Sequence, residues 1–321
     1  MTILAVSPGD PAGVGPEITA RAIASHREAG GRESFLVFGD AERLEARLDR
    51  LGVPCVDDPS APATVSLRHC ARWSDATIAL HAPSDEGGRA QVAALDAAAD
   101  AVLSGEADTL ITGPTSKEAV VLGGTAFTGQ TEHLAARCGL ARDDVTMLFL
   151  GPRLKVGLVT THLSVRDAAE AITEARVRRA TRHLIEALLR LGCDQPRVVV
   201  TGLNPHAGEG GLFGTEEIAA IAPACDGVYE GRVTGPMGAE TAFRLASDGR
   251  IDGVVTMLHD QATIASKLLD WRAAVNVTWG LPFVRASVDH GVAYDAAAGE
   301  AVDFEGMAAA IRCGARLTPS I

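Results

Sequence analysis

Short runs of Val, Ile and Leu, each followed by a glycine or polar turn and then by a longer stretch of helical periodicity, constrain this chain most. Strands that read as continuous apolar runs are buried on both faces, the condition of a mostly parallel sheet covered by helices. The candidate strands are residues 3–6, 35–38, 109–112, 155–160, 197–201, 253–258 and 274–278. Between them, Val177, Thr181, Leu184, Leu188 and Leu191 recur at helical spacing, with Arg178, Arg179, Arg182, Glu186 and Arg190 mostly off that stripe. Gly192 stops this helix. A second, alanine-rich helix is expected over residues 85–104. With 321 residues, two α/β lobes closing on a cleft are expected: residues 1–125 with 275–321, and residues 126–274. The most loop-like segment is 55–66, with Pro54, Pro59 and Pro62 close by.

Charge and composition remove several classes of function. A net charge of -12, from 29 Lys and Arg against 41 Asp and Glu, repels a phosphate backbone over most of the surface. Three tryptophans, two tyrosines and eight phenylalanines leave little for base-stacking platforms, so no nucleic-acid partner is expected. No apolar run reaches membrane-spanning length, and no membrane partner is expected. The N-terminus shows no basic leader, and six scattered cysteines without a C-x-x-C pair suggest neither a zinc ribbon nor a disulfide framework. The expected compartment is the cytoplasm.

Three of the nine histidines share a context. His162 follows the run 155–160, His206 comes shortly after 197–201, and His259 directly follows 254–258. In a parallel α/β sheet these positions are the carboxyl ends of strands, where the ligand crevice lies. Three neutral imidazoles with an open position hold a catalytic divalent metal, whereas separate strand-end histidines only cap loops; both readings are open at this point. Two glycine-rich loops, Gly9–Glu17 and Asn204–Gly214, permit close backbone approach or simply make wide turns. Thr215 is the expected helix cap after the second, with Glu216 and Glu217 in the first turn. There is no G-x-G-x-x-G fingerprint, so a dinucleotide would bind without the Rossmann loop. Lys117 lies in a strand-to-helix turn. Arg285, in the otherwise apolar stretch 281–288, needs an anion if buried: a substrate carboxylate or phosphate, or Asp260 or Asp289.

The segments GDPAGVGPEI at 9–18, TGPTSKEA at 112–119, TGQTEHLA at 128–135, GLNPHAGEGGLFGTEE at 202–217, MLHDQ at 257–261 and AVNVTWGLPFVRASVDHGVAYD at 274–295 resemble the 4-hydroxythreonine-4-phosphate dehydrogenase family of pyridoxal phosphate biosynthesis. The motif order is kept from the first strand nearly to the C-terminus. This resemblance implies an isocitrate/isopropylmalate dehydrogenase-like fold with the active site in an interdomain cleft. It also implies NAD- or NADP-dependent oxidation of a phosphorylated 3-hydroxy acid, with decarboxylation of the product. The metal ligands it implies are His162, His206 and His259, for one zinc, magnesium, manganese or cobalt ion in a homodimer that shares the site across its interface. Gln130, Thr131, Lys267, Asn276 and Arg285 are the implied substrate contacts, Lys267 and Asp260 the catalytic candidates, and Asp289 and His290 the cofactor candidates.

Two departures stand out. The typical G-H-T-E motif reads Gly129-Gln130-Thr131-Glu132 here, and a glutamine hydrogen-bonds but carries no positive charge. Residues 297–301, Ala-Ala-Gly-Glu-Ala, replace a more glycine-rich stretch. The family's relatives act on 4-phosphothreonate, 4-phosphoerythronate and cyclic diol carboxylates, so the first departure leaves the substrate open. Two further readings are a hydrolase using metal-bound water and a metal-containing sugar-phosphate binding protein without turnover.

Overall fold

The computed structural model describes residues 1–59, 61–227, 231–298 and 302–318. Eleven strands form among them: β1 (Ile3–Ser7), β2 (Ser34–Gly39), β3 (Val65–His69), β4 (Thr109–Thr112), β5 (Thr146–Leu150), β6 (Lys155–Leu158), β7 (Val198–Thr201), β8 (Val233–Met237), β9 (Gly253–Thr256), β10 (Val275–Trp279) and β11 (Val284–Ser287). The architecture is the expected mostly parallel α/β sheet flanked by helices. The chain divides into two compact units, residues 1–142 with 281–321, and residues 143–280.

In the first unit the strand order is β3-β2-β1-β4-β11, with every neighbouring pair parallel. From β1 the chain winds outward through β2 to β3, then crosses back to lay β4 on the other side of β1. That reversal makes β1 and β4 the switch point of these strands, with the loops after them at the carboxyl ends where ligands bind in open α/β sheets. All six residues of β2 are buried, as a strand covered on both faces requires. The helix Asp85–Leu103 starts where Ser84 Oγ accepts from Gly87 N at 3.0 Å, and buries Ala94, Leu95, Ala98, Ala99 and Val102. At Gly88 a Cβ would stand 1.8 Å from the Ala119 carbonyl, so only glycine lets this helix meet the helix Lys117–Leu122 at this distance.

In the second unit the order is β10-β5-β6-β9-β7-β8. The β10–β5 and β5–β6 pairs are antiparallel and the rest parallel. The helix Glu174–Arg190 carries the expected stripe, with Val177, Thr181, Leu184 and Leu188 buried, and Thr173 caps its first turn. The other face of the sheet packs Phe149, Val156, Val199 and Val254 against Ala242 and Ala262. Each large aliphatic side chain so buried contributes about 1.5–3 kcal/mol against the unfolded chain. Among the described residues no helix is long and apolar enough to cross a membrane.

Candidate active site

The switch-point loops of the first unit are locked together by backbone and by one buried carboxylate. Gly9 has φ +89°, and a Cβ there would lie 2.1 Å from the Pro114 carbonyl oxygen. Asp10 N donates to that oxygen at 3.1 Å, joining the loops after β1 and β4. The Asp10 carboxylate accepts from Ala12 N at 2.9 Å, Gln91 Nε2 at 2.8 Å and the Tyr294 hydroxyl at 2.7 Å. Gln91 in turn accepts from Ser116 N at 2.8 Å. Burial pushes the Asp10 carboxyl above the usual carboxylate range, opposed by the Tyr294 and Ala12 donors.

Beside these loops Arg285 projects from β11 and is almost fully buried. Its Nε and Nη2 donate to Thr112 Oγ1 at 3.1 and 3.0 Å, Nη1 to Thr131 Oγ1 at 3.2 Å, and Nη2 also to Gln130 Oε1 at 2.9 Å. Burial pushes its pKa down to about 10, with Glu132 opposing, so it stays cationic at neutral pH. These four bonds run to the oxygens of Thr112, Thr131 and Gln130 and orient the guanidinium, and the Glu132 carboxylate favours its charged form. Gln130 uses its other end as well: Nε2 donates to the Gly113 carbonyl and to Thr115 Oγ1, both at 3.0 Å. Sequence-expected Gln130, Thr131 and Arg285 therefore form one cluster. Gln130 and Thr131 open the helix Gln130–Arg137, which His133 anchors to Asp96 at 2.6 Å.

In the second unit, the His162 and His259 rings have centroids 5.6 Å apart. His259 Nδ1 is 2.8 Å from Asp260 Oδ1, a carboxylate that can orient the ring toward a ligand on its other nitrogen. The pair fits a divalent metal as two of its ligands. His206 is not brought into that pair. Its ring lies beside Phe213, centroids 6.4 Å apart. Among the described residues no three His, Cys, Asp or Glu side chains converge to hold a metal, so the expected trio is not assembled within one chain.

The other expected residues are dispersed. Lys267 is eight residues beyond His259 on the helix His259–Asp270, about 12 Å along its axis, and its ammonium lies over the Trp271 ring at 5.8 Å. Asn276 on β10 holds a buried Oδ1 with no partner among the described residues, an acceptor that a ligand hydroxyl or ammonium would satisfy. Asp289 and His290 follow β11; His290 is exposed, its Nδ1 is 3.0 Å from the Gly291 carbonyl, and the nearby Val292 carbonyl accepts from Val14 N. Of the 297–301 departure, residues 299–301 lie outside the described residues.

Comparison with known proteins matches residues 32–314 to the family model described as "Pyridoxal phosphate biosynthetic protein PdxA". The chain belongs to the PdxA family. Its PdxA relatives include a Cutibacterium acnes protein provisionally named D-threonate 4-phosphate dehydrogenase, 39% identical over 92% of this chain and 88% of that protein. A 4-hydroxythreonine-4-phosphate dehydrogenase of Zymomonas mobilis is 37% identical over 97% of this chain and 94% of the relative. The crystal structure of a 4-hydroxythreonine-4-phosphate dehydrogenase from Burkholderia phymatum superposes with a TM-score of 0.82 at 35% identity, over 100% of this chain and 99% of that one. Three residues that motif reading passed over take part in the geometry above. Thr112 and Thr115 hold Arg285 and Gln130, and their signal was the clustering of hydroxyls in TGPTSK. Glu217, read as a first-turn acid, is buried and accepts from the Leu203 and Asn204 amides at 2.8 and 2.7 Å. It fixes the base of the loop carrying His206, and only its burial distinguishes it from Glu216.

Proposed function

We propose that this chain oxidises the secondary alcohol of a phosphorylated 3-hydroxy acid, with 4-hydroxythreonine 4-phosphate as the first substrate to test. The observation that carries this reading is the buried cluster of Arg285, Thr112, Thr131 and Gln130, a guanidinium fork set among hydroxyls, the donor set that recognises a carboxylate or phosphate. Family membership supplies the reaction class. Arg285 and Thr131 hold the substrate's acidic group, and Gln130 keeps the fork aimed. Lys267 takes the hydroxyl proton or orients the substrate, and Asn276 Oδ1 accepts from a substrate donor.

His162 and His259, with His206 completing the set in a homodimer, would hold a divalent metal. Bound there, the metal would supply Lewis acidity toward the substrate hydroxyl and the keto acid product, whose decarboxylation belongs to the same reading. Asp289 and His290 are the candidate contacts for a nicotinamide coenzyme, NAD or NADP, which would supply the hydride acceptor. The homodimer is supported by apolar side chains left uncovered near the imidazoles. Ile264 and Leu268 lie on the helix that begins with His259, Trp271 caps its end, and Leu212, Phe213 and Ile218 follow His206. No nucleic acid and no membrane enter this reading.

A second reading, oxidation of D-threonate 4-phosphate, is supported by the Cutibacterium acnes relative, 39% identical over 92% of this chain. Gln130, with both ends of its amide engaged inside the protein, leaves the choice between the two substrates open. The test is a panel of 4-hydroxythreonine 4-phosphate, D-threonate 4-phosphate and their unphosphorylated forms, each with NAD and NADP. Reduced nicotinamide is expected only with the phosphorylated compounds, and only until the metal is chelated. A flat trace throughout contradicts the reading and leaves a hydrolase or a binding protein.

A further inference from the structure

The first unit holds a second cationic recess, separate from Arg285. Its volume is about 390 Å³, and Pro11 and Val14 of the loop after β1 form part of its wall. Arg21 of the helix Gly15–Glu28 and Arg47 and Arg50 of the helix Ala41–Arg50 line it. Among the described residues Glu17 is the one acid in its lining. That single carboxylate serves three guanidinia, at 2.8 Å from Arg21 Nε, 3.5 Å from Arg50 Nη2 and 4.0 Å from Arg47 Nε. The recess keeps an excess of positive charge on a chain whose net charge is -12. Burial pushes the Arg47 guanidinium below its ordinary pKa, Glu17 and, more weakly, Asp40 oppose this, and Arg50 and Arg43 add to it. An anion would relieve that repulsion. Ile78 and Val302 add apolar wall, which suits a flat heterocycle. The place is also apt, because in open α/β sheets ligands bind at the turn after the first strand, by the switch point.

We propose that this recess binds the adenosine end of the nicotinamide coenzyme with Arg47 and Arg50 on a ribose phosphate, so that the chain takes NADP in preference to NAD. The proposal rests on the dehydrogenase reading above for the coenzyme's identity, while the recess itself is tested without turnover. A phosphate monoester brings about two negative charges and three acceptor oxygens, which two guanidinia meet with paired donors.

Calorimetric titration of the full chain with 2′,5′-ADP, 5′-AMP and inorganic phosphate tests it, on wild type, Arg50→Ala and Arg47→Met. Arg50 is largely solvent-exposed, so its variant is expected to fold even where Arg47→Met does not. The 2′-phosphorylated nucleotide is expected to bind at least about tenfold more tightly than either other ligand. Arg50→Ala removes about tenfold of that preference and leaves 5′-AMP unchanged, as loss of one charge-assisted contact requires. The ratio of kcat/KM for NADP over NAD falls by the same factor. Equal binding of 2′,5′-ADP and 5′-AMP, or phosphate alone matching the nucleotide, overturns the proposal. So does an Arg50→Ala chain that discriminates like wild type, even where alcohol oxidation proceeds normally. Arginine-dependent binding of 2′,5′-ADP with no nicotinamide reduction upholds the recess and instead sinks the dehydrogenase reading.

Discussion

The Glu217 carboxylate makes hydrogen bonds that no other side chain could reproduce. Oε1 accepts two backbone amides, Leu203 and Asn204, and Oε2 accepts from Asn204 Nδ2 at 2.9 Å. The loop it anchors runs through positive φ from His206 to Gly210, including the non-glycine residues His206, Ala207 and Glu209. Left-handed backbone at non-glycine residues is costly and persists only where surrounding contacts enforce it. Glu217→Gln would keep the two amide bonds but turn an NH2 group toward the Asn204 NH2. We expect a loss of about 1–3 kcal/mol in urea unfolding and a 10- to 100-fold weaker hold on zinc or cobalt. Unchanged metal titration in a folded variant would show that the loop needs no such anchor. Sequence reading found this loop by its glycines and placed His206 on it. Glu217 escaped because a Thr-Glu-Glu run reads as a cap with solvated acids, and one-dimensional pattern does not distinguish the acid that turns inward.

At the level of elements, all seven expected strands are strands, because their apolar runs are buried on both faces. Four others were not marked as strands. β3 begins inside the loop-like segment 55–66, β8 contains Gly235 and Pro236, β11 interleaves Arg285 and Ser287, and β5 is no shorter than most strands that were marked and has no such interruption. Short interrupted runs cannot be told from buried loop by periodicity. The stripe of helix Glu174–Arg190 was legible, yet the same helix buries His183 against β5, where its Nδ1 is 2.8 Å from Thr146 Oγ1. Burial pushes the His183 pKa down to about 4, with Glu186 opposing and Arg182 and Arg179 reinforcing. The folded pKa lies below the unfolded value of 6.5, so the fold favours the neutral ring. That contribution is complete above pH 6.5 and is lost as pH falls toward 4, a decline of about 3 kcal/mol. Urea denaturation at stepped pH should show it, and His183→Gln should flatten that slope. A wild-type midpoint constant over this range would mean that His183 is protonated in the fold.

For the whole molecule, which histidines lie at strand ends was readable from the chain, but whether their rings meet was not. His162 and His259 do meet, and His206 stays with Phe213. A second copy is the simplest way to cover Leu268, Trp271 and Phe213 and to complete the ligand set. Light scattering on the eluting protein should give a dimer, and Leu268→Glu should shift it toward monomer and lower metal retention together. A wild-type monomer that retains one metal per chain would exclude the shared site. The most direct test of the proposed chemistry is absorbance at the reduced-nicotinamide band, with the metal-loaded chain, 4-hydroxythreonine 4-phosphate or D-threonate 4-phosphate, and oxidised coenzyme. The band should rise with wild type, fall at least about 100-fold in rate with Arg285→Leu as a charge-assisted anion contact is lost, and vanish with His259→Ala. A wild-type trace that stays flat with both phosphorylated acids, or an Arg285→Leu trace as steep as wild type, would contradict it.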